Sequence, residues 1–148
     1  MSDFFRQIFN NRVLITTLLA WLVAQSIKVM LGVIQKKKFD FRWFIGTGGM
    51  PSSHVSGATA LAWSSGMEYG FDSIFFALAA AFAIVVIFDA QGVRRATGKQ
   101  AHILNKVMDD IYFKGRIQDE RLRELIGHTP LEVFGGILLG IAIVLIRH

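Results

Sequence analysis

The sequence predicts an all-α polytopic membrane bundle, with about four transmembrane helices and an amphipathic helix on the cytoplasmic side. Three observations predict it. Hydrophobic residues make up 53% of the 148-residue chain and charged residues 18%, with a mean hydropathy of +0.45. The apolar residues fall in long runs rather than in short alternations. The basic residues gather between those runs. The length suits one unit over residues 1–148 and not two. The chain has no cysteine, which excludes a disulfide framework and a thiolate metal site. Its net charge is +5, with a pI of about 9.9. In a soluble protein that balance would point to nucleic acid. Here the cations border apolar spans, so a membrane bilayer with an anionic surface is the expected partner and nucleic acid is not.

Residues 1–12 read as a short surface lead-in. Val13 to Ile34 is an apolar run interrupted by Gln25, Ser26 and Lys28. At about 1.5 Å per residue it can cross a hydrocarbon core of roughly 30 Å. It is too long for a signal peptide, and no small-residue cleavage site follows. Lys28 is costly inside a span, so it either faces a polar interior or snorkels to the interface. Lys36, Lys37, Lys38 and Arg42, interleaved with Phe39, Phe41, Trp43 and Phe44, read as an interfacial loop. From Pro51 to about Tyr69 runs a helix full of Ser, Gly, Ala and Thr, whose small side chains suit the inside of a bundle. Ser73 to Phe88 is a further span, ending at Asp89. From Lys99 to Tyr112 apolar residues recur at helical spacing opposite Lys99, Lys106, Asp109 and Asp110, which predicts an interfacial amphipathic helix. Gln118 to Ile126 can form a short charged helix. The last span starts at Thr129-Pro130 and runs to Arg147. Its glycines, Gly135, Gly136 and Gly140, suit close helix contacts within one chain or between copies in a homo-oligomer.

This threading puts the basic loop at 36–42 and the whole 89–129 region on one side. The other side keeps Arg6, Arg12 and Arg147. The positive-inside rule makes the basic side cytoplasmic in a multi-pass cell-membrane protein, with both chain ends outside.

Gly48-Gly49-Met50-Pro51-Ser52-Ser53-His54 organises the chain. Pro51 suits a first helical position, and the glycines allow close backbone approach. A helix start favours a phosphate. Ser52 and Ser53 add hydroxyls, and His54 adds a proton carrier. The plain alternative is a proline-started helix with a packed histidine. The threading also brings Asp89, Arg94, Arg95 and His128 to the same membrane level as His54, making a basic cleft suited to an anion. One imidazole could attack phosphorus and the other protonate a leaving oxygen. Glu132, four residues after His128, is spaced to orient it. Equally, Thr129 and Glu132 have the spacing of a capping box. Asp89 could simply pair with Arg94 or Arg95.

Pro51-Ser52-Ser53-His54 resembles the second signature of the type-2 phosphatidic acid phosphatases, relatives of the vanadium haloperoxidases. His128-Thr129-Pro130-Leu131-Glu132 is similar to their third. Together with the stretch from Asp89 to Gln100, these blocks look like the divergent branch of that superfamily, small bacterial membrane proteins. The resemblance covers nearly the whole chain. It implies a membrane lipid phosphatase acting on a lipid phosphomonoester or diphosphate, without metal or other cofactor. It implies that His128 becomes phosphohistidine, that His54 serves the leaving alcohol, and that Glu132 orients His128. Ser53 and nearby N–H groups would bind phosphate oxygens. Two departures stand out. No lysine lies seven residues before Arg42, and Trp43 replaces the proline after it. Leu122 stands where the third signature has arginine. Lys28, Lys38 and Arg42 are thus all candidates for the phosphate clamp, with Arg94 or Arg95, or else Arg121 or Arg123, as replacements for the missing arginine. The other reading is a non-catalytic anionic-lipid binder or a subunit of a membrane complex.

Overall fold

A computed structural model of the chain describes residues 2–37, 49–92, 100–105, 107–108 and 129–148. Five helices carry the fold: α1 (Ser2–Asn10), α2 (Arg12–Lys36), α3 (Ser53–Tyr69), α4 (Ile74–Gln91) and α5 (Pro130–Arg147). Residues 100–105 and 107–108 are also helical, in the stretch expected to be amphipathic, with Ala101 buried and Ile103, Leu104 and Val107 exposed. There is no strand among the described residues. The expected short helix at 118–126 lies outside them, as do residues 38–42 of the basic loop expected at 36–42, whose Lys36 instead ends α2 and whose Lys37 is its C-cap.

Among the described residues, three helices are long and apolar enough to cross a membrane: Arg12–Ile34 within α2, α4, and α5. At 18 residues each, α4 and α5 reach ~27 Å, just enough for a hydrocarbon core. The fourth expected span, α3, has 17 residues and a different character. It packs against α2, α4 and α5, while α2 and α4 do not touch each other. Eleven of its residues are buried: Ser53, Val55, Ser56, Gly57, Ala58, Thr59, Ala60, Ala62, Ser64, Ser65 and Gly66. None of these has a side chain larger than valine.

The distribution of side chains is the reverse of a soluble bundle. Thr16, Gln25, Lys28, Ser52, Ser53, Ser56, Thr59, Ser64 and Ser65 are buried, whereas Leu18, Phe75, Leu78, Phe82, Phe88, Phe134 and Leu138 face outward. Hydrocarbon outside and hydroxyls inside is the arrangement a bilayer solvent selects. The apolar interior is mostly alanine and valine. Ala58 and Ala62 meet Ala79 and Ala83 between α3 and α4. Ala20, Ala60 and Val144 join α2, α3 and α5. Val55, Ala90 and Val133 join α3, α4 and α5.

These contacts fix directions. The start of α3 meets the start of α5, and His148 after α5 lies 3.8 Å from Glu68 at the end of α3. The two helices therefore run parallel, and the end of α4 comes back to their N-termini. The close approach of α3 and α5 depends on glycine. A Cβ at Gly140 would stand 2.6 Å from the Ser56 carbonyl oxygen, and one at Gly136 would stand 2.8 Å from that of Ser52. The glycine stripe in the last span thus serves a contact within the chain.

One local expectation is corrected. Pro51 is not the first residue of α3. It sits before the cap, after a cis Met50–Pro51 peptide, and Ser52 is the N-cap. Two consecutive serines offered a better cap one residue downstream, since a serine hydroxyl can accept from the first turn.

Gly140→Ala should lower the thermal midpoint of the detergent-solubilised protein, at an overpacking cost of about 1–3 kcal/mol. Gly57→Ala should leave it unchanged or raise it, because a Cβ there meets Trp21 Cβ only at 3.6 Å. Equal melting shifts for the two variants would contradict this account of the α3–α5 contact.

Candidate active site

At the start of α3, Ser52 donates its backbone N–H to the Glu132 carbonyl at 3.0 Å, and its hydroxyl accepts from Val55 N at 3.4 Å. Ser52 is fully buried. Its hydroxyl, expected to bind substrate, is thus engaged as a helix cap. Ser53 is also buried, and its hydroxyl has a different partner. The Lys28 ammonium reaches across from α2 and donates to Ser53 Oγ at 3.3 Å and to Gln25 Oε1 at 3.2 Å. Lys28 is 8% exposed. It therefore faces a polar interior and does not snorkel. The Glu132 carboxylate, on α5, acts on this ammonium as its counter-charge.

The backbone makes room for the lysine. Gly49 has a φ of +89°, and a Cβ there would stand 3.2 Å from Lys28 Cγ. A side chain at this position would be strained by the dihedral and crowded by the lysine stem. Met50 and Pro51 lie over Gly135 of α5. The glycine-proline segment is thereby held between α2 and α5.

Glu132 also completes a capping box. Thr129 N–H donates to Glu132 Oε2 at 2.8 Å, and Glu132 N–H donates to Thr129 Oγ1 at 3.4 Å. Of the two roles weighed from its spacing, capping is realised. His54, in the first turn of α3, is exposed and not packed in the core. Asp89 is half-buried near the end of α4, beside Ala90, which touches Val55 and Val133. Lys28, Ser52, Ser53, His54, Asp89 and Glu132 thus share one end of the bundle. Lys38, Arg42, Arg94, Arg95 and His128 lie outside the described residues. Thr129, which follows His128, caps α5 at this same end.

Sequence reasoning passed over Gln25 as a site residue. The available signal was its position three residues before Lys28 in an otherwise apolar run, which puts both side chains on one helix face.

Residues 9–143 match the divergent PAP2 family. The chain belongs to this family. It is also 40% identical over 151 aligned residues to the uncharacterized membrane protein YuiD of Bacillus subtilis (strain 168), covering 95% of this chain and 96% of that one. No solved structure matches the chain. In this divergent PAP2 protein, then, the Pro-Ser-Ser-His block sits at a helix start inside a membrane bundle, with a lysine from another helix on its second serine.

Ser52→Ala and Thr129→Ala each remove one helix cap and should lower stability by about 0.5–2 kcal/mol. Ser52→Ala belongs at the upper end, because its site is buried. Thermal unfolding in detergent checks this, and a Ser52→Ala protein melting with the wild type would argue against the cap.

Proposed function

We propose that this divergent PAP2 protein is a metal-independent lipid phosphatase of the cell membrane, spanning it several times and holding its site at the cytoplasmic face. The observation that carries the reading is the Lys28–Ser53 contact of 3.3 Å beside His54 at the start of α3. A buried ammonium and a helix N-terminus, with an imidazole one residue further along the same helix, are the groups a phosphoryl cradle with acid–base assistance would use. Lys28 would take the clamp position for which Lys38 and Arg42 were also candidates. Arg94 or Arg95 would neutralise further equatorial charge, and Asp89 would help hold them.

In this mechanism a His128 nitrogen attacks phosphorus while the bond to the lipid oxygen breaks. Protonated His54 gives its proton to that oxygen, which leaves as the alcohol, or as the lipid monophosphate when the substrate is a diphosphate. Water then attacks the phosphohistidine and gives a proton to His54. Inorganic phosphate departs and His128 is restored. Glu132 would stabilise the imidazolium of His128 while retaining its cap. Substrates of the right chemistry are phosphatidic acid, phosphatidylglycerophosphate and polyprenyl phosphates or diphosphates.

The competing reading is a non-catalytic binder of anionic lipid. It is favoured by the internal employment of Ser52, Ser53 and Glu132, each of which already has a partner within the chain.

The test is phosphate release from that lipid panel by purified protein in EDTA. His128→Ala should abolish release, and His54→Ala should slow it by about 10²–10⁴-fold. Glu132→Gln keeps an oxygen for the Thr129 cap but removes the charge that faces buried Lys28, so it should lose activity and also lower the thermal midpoint. Release unaffected by both histidine variants, or no release from any lipid, would overturn the phosphatase and leave the binder.

A further inference from the structure

At the opposite end of the bundle, α1 presents two unlike faces. Asp3, Arg6, Gln7 and Asn10 line a polar cleft of about 490 Å³, whose far wall includes Glu68 and Tyr69 at the end of α3. The remaining large residues point away from it: Phe4 is 62% exposed, Phe5 54%, Ile8 36% and Phe9 70%. Their spacing at i, i+1, i+4 and i+5 makes one continuous apolar stripe.

The helix cannot simply extend the span that follows. Asn11 separates the two: its N–H closes on the Ile8 carbonyl at 3.1 Å, and its side chain caps α2 by accepting from Leu14 N at 3.0 Å. At nine residues, α1 is ~14 Å long, too short to cross a bilayer. It is followed directly in sequence, however, by α2, whose Leu14, Leu18, Trp21 and Leu22 face outward. The latter surface belongs to a membrane span.

We infer that α1 lies flat in the lipid–water interface on the face opposite the Lys28–Ser53 site. Phe4, Phe5, Ile8 and Phe9 enter the boundary between head groups and acyl chains, and the polar side roofs the cleft. The occupant of the apolar stripe is lipid, because the exposed stripe stands directly before the start of a membrane span, at the level where that span meets the interface. The arrangement is that of an amphipathic anchor in the membrane plane. It does not depend on the phosphatase reading.

The absence of cysteine allows a direct test in the full-length chain. Single cysteines at positions 3–10 would each carry a nitroxide, in protein reconstituted into vesicles of phosphatidylcholine and phosphatidylglycerol. Collisions with oxygen report lipid, and collisions with a nickel chelate report water. Oxygen collisions should be roughly two-fold or more higher at positions 4, 5, 8 and 9 than at 3, 6, 7 and 10, with nickel collisions in the reverse order. Depth should be level from position 4 to position 9. Nickel dominating at all eight positions would overturn the inference. So would depth that changes steadily along the helix. Low oxygen at 4, 5, 8 and 9 with spin–spin broadening would also overturn it, and would assign the stripe to a second copy.

Discussion

The ammonium of Lys28 is the constraint around which this bundle is built. A lysine at the centre of a membrane helix costs about 2.5–3.5 kcal/mol on insertion scales. Lys28 lies toward the end of its span and is nevertheless buried, so the protein must solvate it. Gln25 from the same helix and Ser53 from the next do so directly, and the carboxylate of Glu132 supplies the opposite charge from α5. Gly49 suits its place because its φ of +89° strains any other residue and the lysine stem crowds a side chain there. Helices α2 and α3 and the loop before α3 are thus registered against one another by a single cation.

That registration is possible only because α3 is thin. Serines, alanines and glycines allow α2, α4 and α5 to approach its backbone closely, and Gly136 and Gly140 remove the last obstruction from the α5 side. Close packing substitutes for the hydrophobic effect, which gives helices little reason to associate in lipid. It also leaves polar atoms facing polar atoms: the Ser56 hydroxyl donates to the Ala20 carbonyl at 3.2 Å, tying α3 to α2 near mid-span. The same smallness that makes α3 a poor lipid-facing helix makes it a good axis.

Much of this was legible in the sequence, for physical reasons. The spans of α2, α4 and α5 were readable because lipid demands long apolar runs. The interior position of α3 followed from its small residues. The capping box at Thr129 and Glu132 followed from spacing alone. Other features were not legible at the same level. The start of α3 was misplaced by two residues because proline, a frequent first helical residue, competed with two serines that cap better. Residues 1–12 read as a lead-in because a nine-residue amphipathic helix has too few turns for its period to stand out, although Phe4, Phe5, Ile8 and Phe9 carry it. The Lys28–Ser53 contact joins residues far apart in sequence, and nothing local announces which helix a buried lysine will face.

The directions of the helices give the site end its electrostatic character. Because α3 and α5 run parallel, their N-termini open on the same face, and each carries about half a positive charge there. The Lys28 ammonium adds a full one nearby. Glu132 offsets part of this, but its carboxylate is spent on the α5 cap and on Lys28 together. The C-termini of α2 and α4 lie at this end as well, so the helix-end charges largely offset over the whole face, and the field is positive only locally, beside the first turns of α3 and α5. The close α3–α5 pair made possible by Gly136 and Gly140 sets two helix N-termini side by side, and their first-turn N–H groups together with Lys28 make a local cluster of donors suited to an oxyanion. The glycine contact that holds the bundle together and the charge that suits the site to phosphate have a common origin.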